Sequence, residues 1–342
     1  MVYSVNHTCP GPWDRLNSQP GNEFELAEMQ AAATPSSARP PIRYSLARAL
    51  NLFLVKRLGF SRESGLSAGR AVNIALAPFA SGPRRRIARS LAAEATAPIR
   101  IDPEEGYAFP DLAAMSELAP AIEQGRAATR AAMQANELKL YDNGMSRKQF
   151  LVYAMPGSEI AKCDAIMRLA LARPILDAVS VYLGAVPVLN SVDLMVSLPN
   201  SSEFGSQLYH LDFADDRQVK LFICIEPVTP AHGPFTFVPA GKTRQIVEAL
   251  DYDRGRLTIE QVTTVIDERD QIAVTGDAGF AVMVDTSRCL HYGSRHNREP
   301  RVMLVAQYSD YHVPEQPPVR WSVNEITRRL DLDPVQRLAL TV

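Results

Sequence analysis

Hydrophobic and polar positions alternate with two different periods along this chain, and the change of period divides it. After Ser45, Leu46, Leu50, Phe53, Leu54 and Leu58 recur at helical spacing, with Gly59 where a helix ends. A second helix is expected over Pro83–Ala95. A third, Ala-rich one is expected over Leu112–Asn136, broken at Pro120, and a fourth over Ser158–Leu171, with Ile160, Cys163, Met167 and Leu171 on one stripe behind a Ser N-cap. One more short helix follows Pro174. Beyond it the period falls to two, and β-branched runs predict strands at Val186–Ser197, Leu208–Phe213, Gln218–Glu226, Pro234–Val238, Gly279–Val284, Cys289–Tyr292 and Arg301–Tyr308. The last segment returns to helix: Ser322-Val323-Asn324-Glu325 has a capping-box pattern, and Asp333-Pro334 interrupts and restarts the helix.

Many short strands separated by turns predict a sandwich or jelly roll, and with the helices they give an α+β fold class. The expected organisation is a loose tail over 1–41, a mainly helical region over 42–185, a β core over 186–312 and a helical extension over 313–342, with 42–342 as one compact body. The tail expectation rests on Pro10, Pro12, Pro20, Pro35, Pro40 and Pro41 among Ser, Asn and Gly. No internal repeat is present.

Composition narrows the functional classes. The 342 residues, 46% hydrophobic and 22% charged with a formal net charge of −2, describe a globular chain with no basic excess to capture nucleic acid. Arg84-Arg85-Arg86 is therefore taken as a solvated helix face. Cys9, Cys163, Cys224 and Cys289 show no disulfide or CxxC spacing and read as free thiols. No signal peptide or long apolar run is seen, so no membrane partner and a cytoplasmic location are expected.

The six histidines are few enough for their positions to matter. In Tyr209-His210-Leu211-Asp212-Phe213, His210 and Asp212 stand two residues apart on a strand. That spacing points both to one face, about 7 Å apart along the chain, while Leu211 faces away. His291, in Cys289-Leu290-His291-Tyr292-Gly293-Ser294, offers a third ligand. Two imidazoles and a carboxylate on one side of a metal form the facial triad of non-haem Fe(II) sites, with open positions for a co-substrate and O2. The same ligands suit Zn(II) in a hydrolase, and a strand histidine can equally be a satisfied core group. Ten residues beyond His291, Arg301 opens a β-rich run with a planar fork of donors suited to a carboxylate. His232, His296 and His312 lie outside the strand runs and are read as structural or solvent-facing.

The stretch from about Leu189 to Tyr311 resembles the phytanoyl-CoA dioxygenase family of Fe(II)- and 2-oxoglutarate-dependent oxygenases. The resemblance is carried by His210-Leu211-Asp212, by Gly233-Pro234-Phe235 through Pro239-Ala240-Gly241, by Gly276-Asp277, by His291-Tyr292-Gly293-Ser294 and by Arg301. It implies a double-stranded β-helix core packed by the helices of the first half. It also implies Fe(II) on His210, Asp212 and His291, with Arg301 on the co-substrate 2-oxoglutarate. Two departures are visible: Pro239-Ala240-Gly241-Lys242 stands where the family usually reads Pro-Gly-Ser-His, and Met303 where some relatives carry a Ser that shares the carboxylate.

Other donors are then needed. Alternation in Gln218–Glu226 puts Lys220, Phe222, Cys224 and Glu226 on one face and Val219, Leu221, Ile223 and Ile225 on the other, so Lys220 is either a cation at the barrel mouth or an edge lysine reaching water. Gln207 and Ser294 complete the set of candidate co-substrate contacts. The function expected is hydroxylation of an aliphatic C–H of a small hydrophobic or amphipathic metabolite, releasing succinate and CO2. The alternatives are a Zn(II) hydrolase on the same triad and a non-catalytic jelly-roll binding protein. Oligomeric state is not readable from the sequence.

Overall fold

The computed structural model describes residues 42–60, 62–94, 98–135, 137–142, 147–155, 157–213, 215–311 and 321–341. The expected tail over 1–41, together with Cys9 and His312, lies outside them. Three helices come first: α1 (Ile42–Leu58), α2 (Arg62–Leu76) and α3 (Pro78–Glu94). Then follow β1 (Tyr107–Ala108), α4 (Leu118–Gln134), β2 (Lys139–Asp142), β3 (Arg147–Met155), and the helices α5 (Gly157–Ile160), α6 (Asp164–Ala170) and α7 (Arg173–Leu183). The second half holds β4 (Val188–Ser197), β5 (Gln218–Cys224), β6 (Thr236–Phe237), α8 (Ala240–Ala249), α9 (Ile259–Thr263), β7 (Ile272–Ala273), β8 (Ala281–Asp285), β9 (His291–Tyr292) and β10 (Arg301–Ser309). Helices α10 (Val323–Arg329) and α11 (Pro334–Ala339) close the described chain.

All strand pairs are antiparallel. The larger sheet has the order β1-β8-β5-β10-β4-β3-β2 and the smaller one β7-β6-β9. Between β4 and β10 the chain passes back and forth between the sheets: β4, β5, β8 and β10 belong to the larger, while β6, β7, β9 and the bridge His210↔His291 belong to the smaller. Period-two alternation turns this path into layers. Val219, Leu221 and Ile223 of β5, with Val192, Leu194 and Val196 of β4, join the core beneath the helices, which also takes in Ile166, Met167, Ile175 and Val179. Phe222 and Cys224, with Val282, Val284, Met303 and Val305, face the other way and pack with Phe235 and Phe237 between the sheets. A third cluster, including Tyr209, Leu211, Ile246 and Leu290, lies between the smaller sheet and α8 and α9.

Several elements depart from the sequence expectation, each for a local reason. Helix α4 is not broken by Pro120, which sits in its first turn, where a missing N–H costs nothing. The Ser158–Leu171 stripe is two helices, the second N-capped by Cys163 rather than opened by Ser158. Pro239-Ala240-Gly241-Lys242 is the start of α8, with Pro239 at the N-cap. Leu208–Phe213 pairs through isolated bridges rather than a full strand. Residue Glu226 lies beyond the end of β5, where it pairs with Arg126 at 3.1 Å.

The Arg84-Arg85-Arg86 run is not a uniformly solvated face. Arg84 is 2% exposed, donating from Nη1 to the carbonyls of Val186 (2.9 Å) and Pro187 (3.1 Å) and from Nη2 to those of Leu338 (2.7 Å) and Thr341 (2.9 Å). It thereby ties α3 to the entry of β4 and to the last helix. Arg70 of α2 is paired with Asp215 (2.8 Å) and with Asp216, fastening the first helices to the segment that follows Asp212. Among the described residues no helix is long and apolar enough to cross a membrane.

Candidate metal centre

The histidines and the aspartate of the spacing argument meet in space. The ligand atoms of His210, Asp212 and His291 all lie within 4.8 Å of one another, although His291 is some eighty residues further along the chain. Backbone pairing sets this up: the amides and carbonyls of His210 and His291 exchange hydrogen bonds of 2.9 and 3.0 Å, which brings the imidazole centroids to 4.3 Å. Asp212 is fixed by its own amide, which donates to the Thr286 carbonyl at 2.9 Å. Leu211 points the other way into the outer apolar cluster, as a period of two requires.

Each imidazole is oriented by its own backbone. Nδ1 of His210 lies 2.9 Å from the Leu208 carbonyl and Nδ1 of His291 lies 2.9 Å from the Cys289 carbonyl. A carbonyl only accepts, so Nδ1 carries the proton in both rings and Nε2 keeps its lone pair. Burial pushes His291 down to about 4 and, with the neighbouring His291 ring, pushes His210 well below its ordinary value. Both rings are therefore neutral at pH 7, which is the ligating form. Burial alone would raise Asp212, but Lys220 and the two imidazoles outweigh it and hold the carboxyl far below the usual range. Two neutral nitrogen donors and one ionised carboxylate, each braced by a second partner, fit a divalent transition metal.

Asp212 is gripped by two residues of β5. Lys220 Nζ lies 2.7 Å from Oδ2, and Gln218 Nε2 donates to the same oxygen at 2.8 Å and to Thr286 Oγ1 at 2.9 Å. Gln307 donates in turn to Gln218 Oε1 at 3.3 Å. Lys220 lies on the inner face of β5 and lines the cavity, with its ammonium turned to Asp212. Gln218 was not singled out, and its place as the first residue of a strand two positions before Lys220 was the available signal.

A cavity of about 120 Å³ adjoins the triad, lined among others by His210, His291, Lys220, Ser294 and Arg301. Arg301 is buried at the start of β10; Nη1 donates to the Gly233 carbonyl at 2.7 Å and Nη2 to Ser197 Oγ at 3.2 Å. Its Nε and the Ser294 hydroxyl are buried and meet no partner among the described residues. Burial draws the guanidinium down to about 10, so it is charged at pH 7, and among the described residues no carboxylate is paired with it. A buried cation with an idle donor beside an idle hydroxyl is the arrangement an anion completes. Gly233 is required here: at φ +57°, a Cβ on it would come within 2.7 Å of the Arg295 carbonyl oxygen and 3.0 Å of Ser294 Oγ.

Gln207 does not reach the cavity, which corrects its assignment as a co-substrate contact. It is fully buried, with Nε2 donating to Asn200 Oδ1 (2.7 Å) and the Ser294 carbonyl (2.9 Å), and Oε1 accepting from Ser202 Oγ (2.9 Å) and the Phe204 amide (3.2 Å). Both donors and the acceptor are committed, so it braces the loop before His210. His232 and His296 pair with Glu299 and Glu203 away from the triad, as structural residues. A larger cleft, about 580 Å³, lies behind Leu211 between Phe60, Tyr252 and Arg288, and no triad side chain lines it.

No family model matches the chain, and no curated protein matches it. Among solved structures it is similar to the epimerase SnoN in complex with Fe3+, alpha ketoglutarate and nogalamycin RO, at 18% identity and a TM-score of 0.43, over 65% of this chain and 83% of that one. It is also similar to EctD from S. alaskensis with 2-oxoglutarate and 5-hydroxyectoine, at 18% identity and a TM-score of 0.43, over 64% of this chain and 79% of that one. A third is AviO1 from Streptomyces viridochromogenes Tue57, at 16% identity and a TM-score of 0.43, over 63% and 93% of the two chains. At this level of likeness the chemistry rests on the site itself.

Proposed function

We propose that the chain is an Fe(II)- and 2-oxoglutarate-dependent dioxygenase on a double-stranded β-helix core, hydroxylating an aliphatic C–H bond of a small-molecule metabolite. One observation carries this reading: the triad and an anion-ready guanidinium open on the same small cavity. A Zn(II) hydrolase on the same ligands would leave the Arg301 Nε and the Ser294 hydroxyl without a purpose. His210, Asp212 and His291 would hold Fe(II), which when bound supplies the redox chemistry that activates O2.

In the reaction proposed, 2-oxoglutarate, O2 and R–H give succinate, CO2 and R–OH. One oxygen atom of O2 enters succinate and the other the alcohol; four electrons reduce O2, two from the keto acid and two from the C–H bond. The chain's own part is positional. Arg301, with Ser294, takes the distal carboxylate of 2-oxoglutarate, and the rigid anchoring of the guanidinium by Gly233 and Ser197 fixes that end. Lys220 and Gln218 keep Asp212 ionised and aimed, and Phe222 and Phe235, stacked with centroids 4.1 Å apart, keep one wall of the cavity dry.

The test is stoichiometric. Protein reconstituted with Fe(II) and given 2-oxoglutarate in air should release succinate and CO2 in equal amounts, slowly when no substrate is present, and the release should vanish in His291→Ala. Hydrolysis of an ester or amide by the Zn(II)-loaded protein, with no succinate from the Fe(II)-loaded one, would overturn the proposal.

A further inference from the structure

A groove of about 330 Å³, sharing no residue with the triad cavity, lies between α3, α7 and the segment that leads from α3 to β1. Its walls are apolar: Leu91 comes from α3, Ile99 and Ile101 from the connecting segment, and Ala178 and Val181 from α7. Ile99 and Ile101 are anchored in the main core, and Arg100 between them is exposed and lines the groove. Arg217, the residue before β5, lines it as well, with its guanidinium carbon 5.6 Å from the centroid of the Tyr182 ring.

The charge of this groove is of one sign. Arg100 and Arg217 line it and no carboxylate does. Among the described residues neither guanidinium forms an ion pair. Arg217 donates from Nη1 to the Tyr182 carbonyl at 3.4 Å, a long and weak bond that leaves most of its donor fork open. Asp102, two residues from Arg100, lies outside the lining and turns Oδ1 to the amides of Glu104 (2.8 Å) and Glu105 (3.0 Å). The hydroxyl proton of Tyr182 is committed to Asp285 at 2.7 Å, so this residue offers a ligand no donor. Two planar donor forks beside apolar walls complement a ligand with an anionic head and an apolar body. A ligand polar along its whole length would lose its water against the walls and gain no partner there. The volume lies within the range of about 300–1,000 Å³ usual for small-molecule pockets.

We infer that this groove is a second small-molecule site, and that it takes an amphipathic carboxylate. Arg100 and Arg217 hold the head, and Leu91, Ile99, Ile101 and Val181 cover the hydrocarbon body. The inference goes beyond the oxygenase proposal and does not depend on it, because none of these residues lines the triad cavity.

Calorimetry tests it on the full-length protein. Octanoate, acetate, n-octanol and n-octylammonium are titrated into the parent and into Arg100→Gln, Arg217→Gln and Ala92→Glu, with a thermal melt confirming that each variant is folded. Arg100 and Ala92 are exposed, so their replacement leaves the core intact. Octanoate should saturate one site on the parent and bind about tenfold to 100-fold more weakly in either arginine variant, the loss of one charge-assisted contact. Ala92→Glu sets a like charge in the groove and should weaken octanoate by at least as much. Acetate lacks the body, and the alcohol and the amine lack the anionic head, so each should bind the parent about tenfold or more weakly than octanoate. Arg301→Ala, which alters only the triad cavity, should bind octanoate as the parent does. No saturable octanoate binding to the parent, octanol bound as tightly as octanoate, or octanoate affinity unchanged in the three groove variants overturns the site. Octanoate binding lost in Arg301→Ala overturns it too, because the carboxylate would then occupy the triad cavity.

Discussion

Replacing Tyr182 by Phe removes one hydroxyl from a buried network that supports the metal ligands from behind. Tyr182 donates to Asp285 Oδ2 at 2.7 Å, while the amides of Gln218 (3.3 Å) and Ser287 (3.1 Å) donate to Oδ1. Asp285 is fully buried, and burial raises its carboxyl to about 6 despite these donors. For a carboxyl raised in the folded state the protonated form favours folding. Its stabilising contribution is therefore complete below about pH 4 and lost as pH rises through about 6. Keeping the carboxyl ionised in this setting costs about 3 kcal/mol at neutral pH.

The Tyr182 hydroxyl limits that loss, because a hydrogen bond to the charged carboxylate contributes about 1.5–3 kcal/mol and one to the neutral acid about 1 kcal/mol. Tyr182→Phe should then destabilise the protein by about 1 kcal/mol at pH 5 and by about 2 kcal/mol or more at pH 8. Arg288, whose Nη1 donates both to the Tyr182 hydroxyl (2.9 Å) and to the Pro103 carbonyl (2.7 Å), keeps the second partner in the variant. Urea denaturation of parent and variant at the two pH values measures the difference. A destabilisation that is independent of pH, or smaller at pH 8 than at pH 5, would mean that the Tyr182 hydroxyl does not hold the charged form of Asp285.

Other expected outcomes follow from single contacts. Arg84→Met retains the apolar stem but takes the guanidinium from four carbonyls, of which Leu338 keeps the Thr341 amide and hydroxyl, so urea denaturation should show a loss of about 3 kcal/mol. A loss below about 1 kcal/mol would mean that water replaces the guanidinium. Gln218→Ala frees one side of Asp212, and competition with a chelating dye should show Fe(II) or Co(II) held about 10-fold to 100-fold more weakly, in a variant that a thermal melt shows to be folded though less stable than the parent. Gly233→Ala forces an L side chain into φ +57° against the Arg295 carbonyl and Ser294, so 2-oxoglutarate affinity should fall through displacement of the carbonyl that anchors Arg301. Unaltered affinity in a folded variant would contradict the role given to that anchor.

The site was more legible than the fold around it. His210 and Asp212 declare themselves because a period of two leaves one orientation for both, and His291 because it stands on a short late strand just after the apolar run Phe280–Val284. Lys220 was placed by the same alternation: Val219, Leu221 and Ile223 demand the helix-covered side, so Lys220, Phe222 and Cys224 take the other. What escaped was whatever depends on partners distant in sequence. Arg84 reads as a surface arginine because its acceptors at Leu338 and Thr341 are some 250 residues away. Gln207 reads as a pocket group because spacing from His210 carries no information about the 3-10 turn over Gly205–Gln207 that consumes its amide. The β2–β3 hairpin and helices α2, α8 and α9 were missed where short or mixed-period segments depend on neighbours for burial.

In the proposed reading one cavity holds a metal on His210, Asp212 and His291 and an anionic keto acid on Arg301. Anaerobic addition of Fe(II) and then 2-oxoglutarate to the metal-free protein, followed by visible absorption, tests both halves at once. A charge-transfer band is expected in the parent, none in His291→Ala, and in Arg301→Ala a band that requires about 100-fold more 2-oxoglutarate, the loss of a buried charge-assisted contact. A parent that is folded and binds Fe(II) but gives no band, or a band that is indifferent to Arg301, would contradict it.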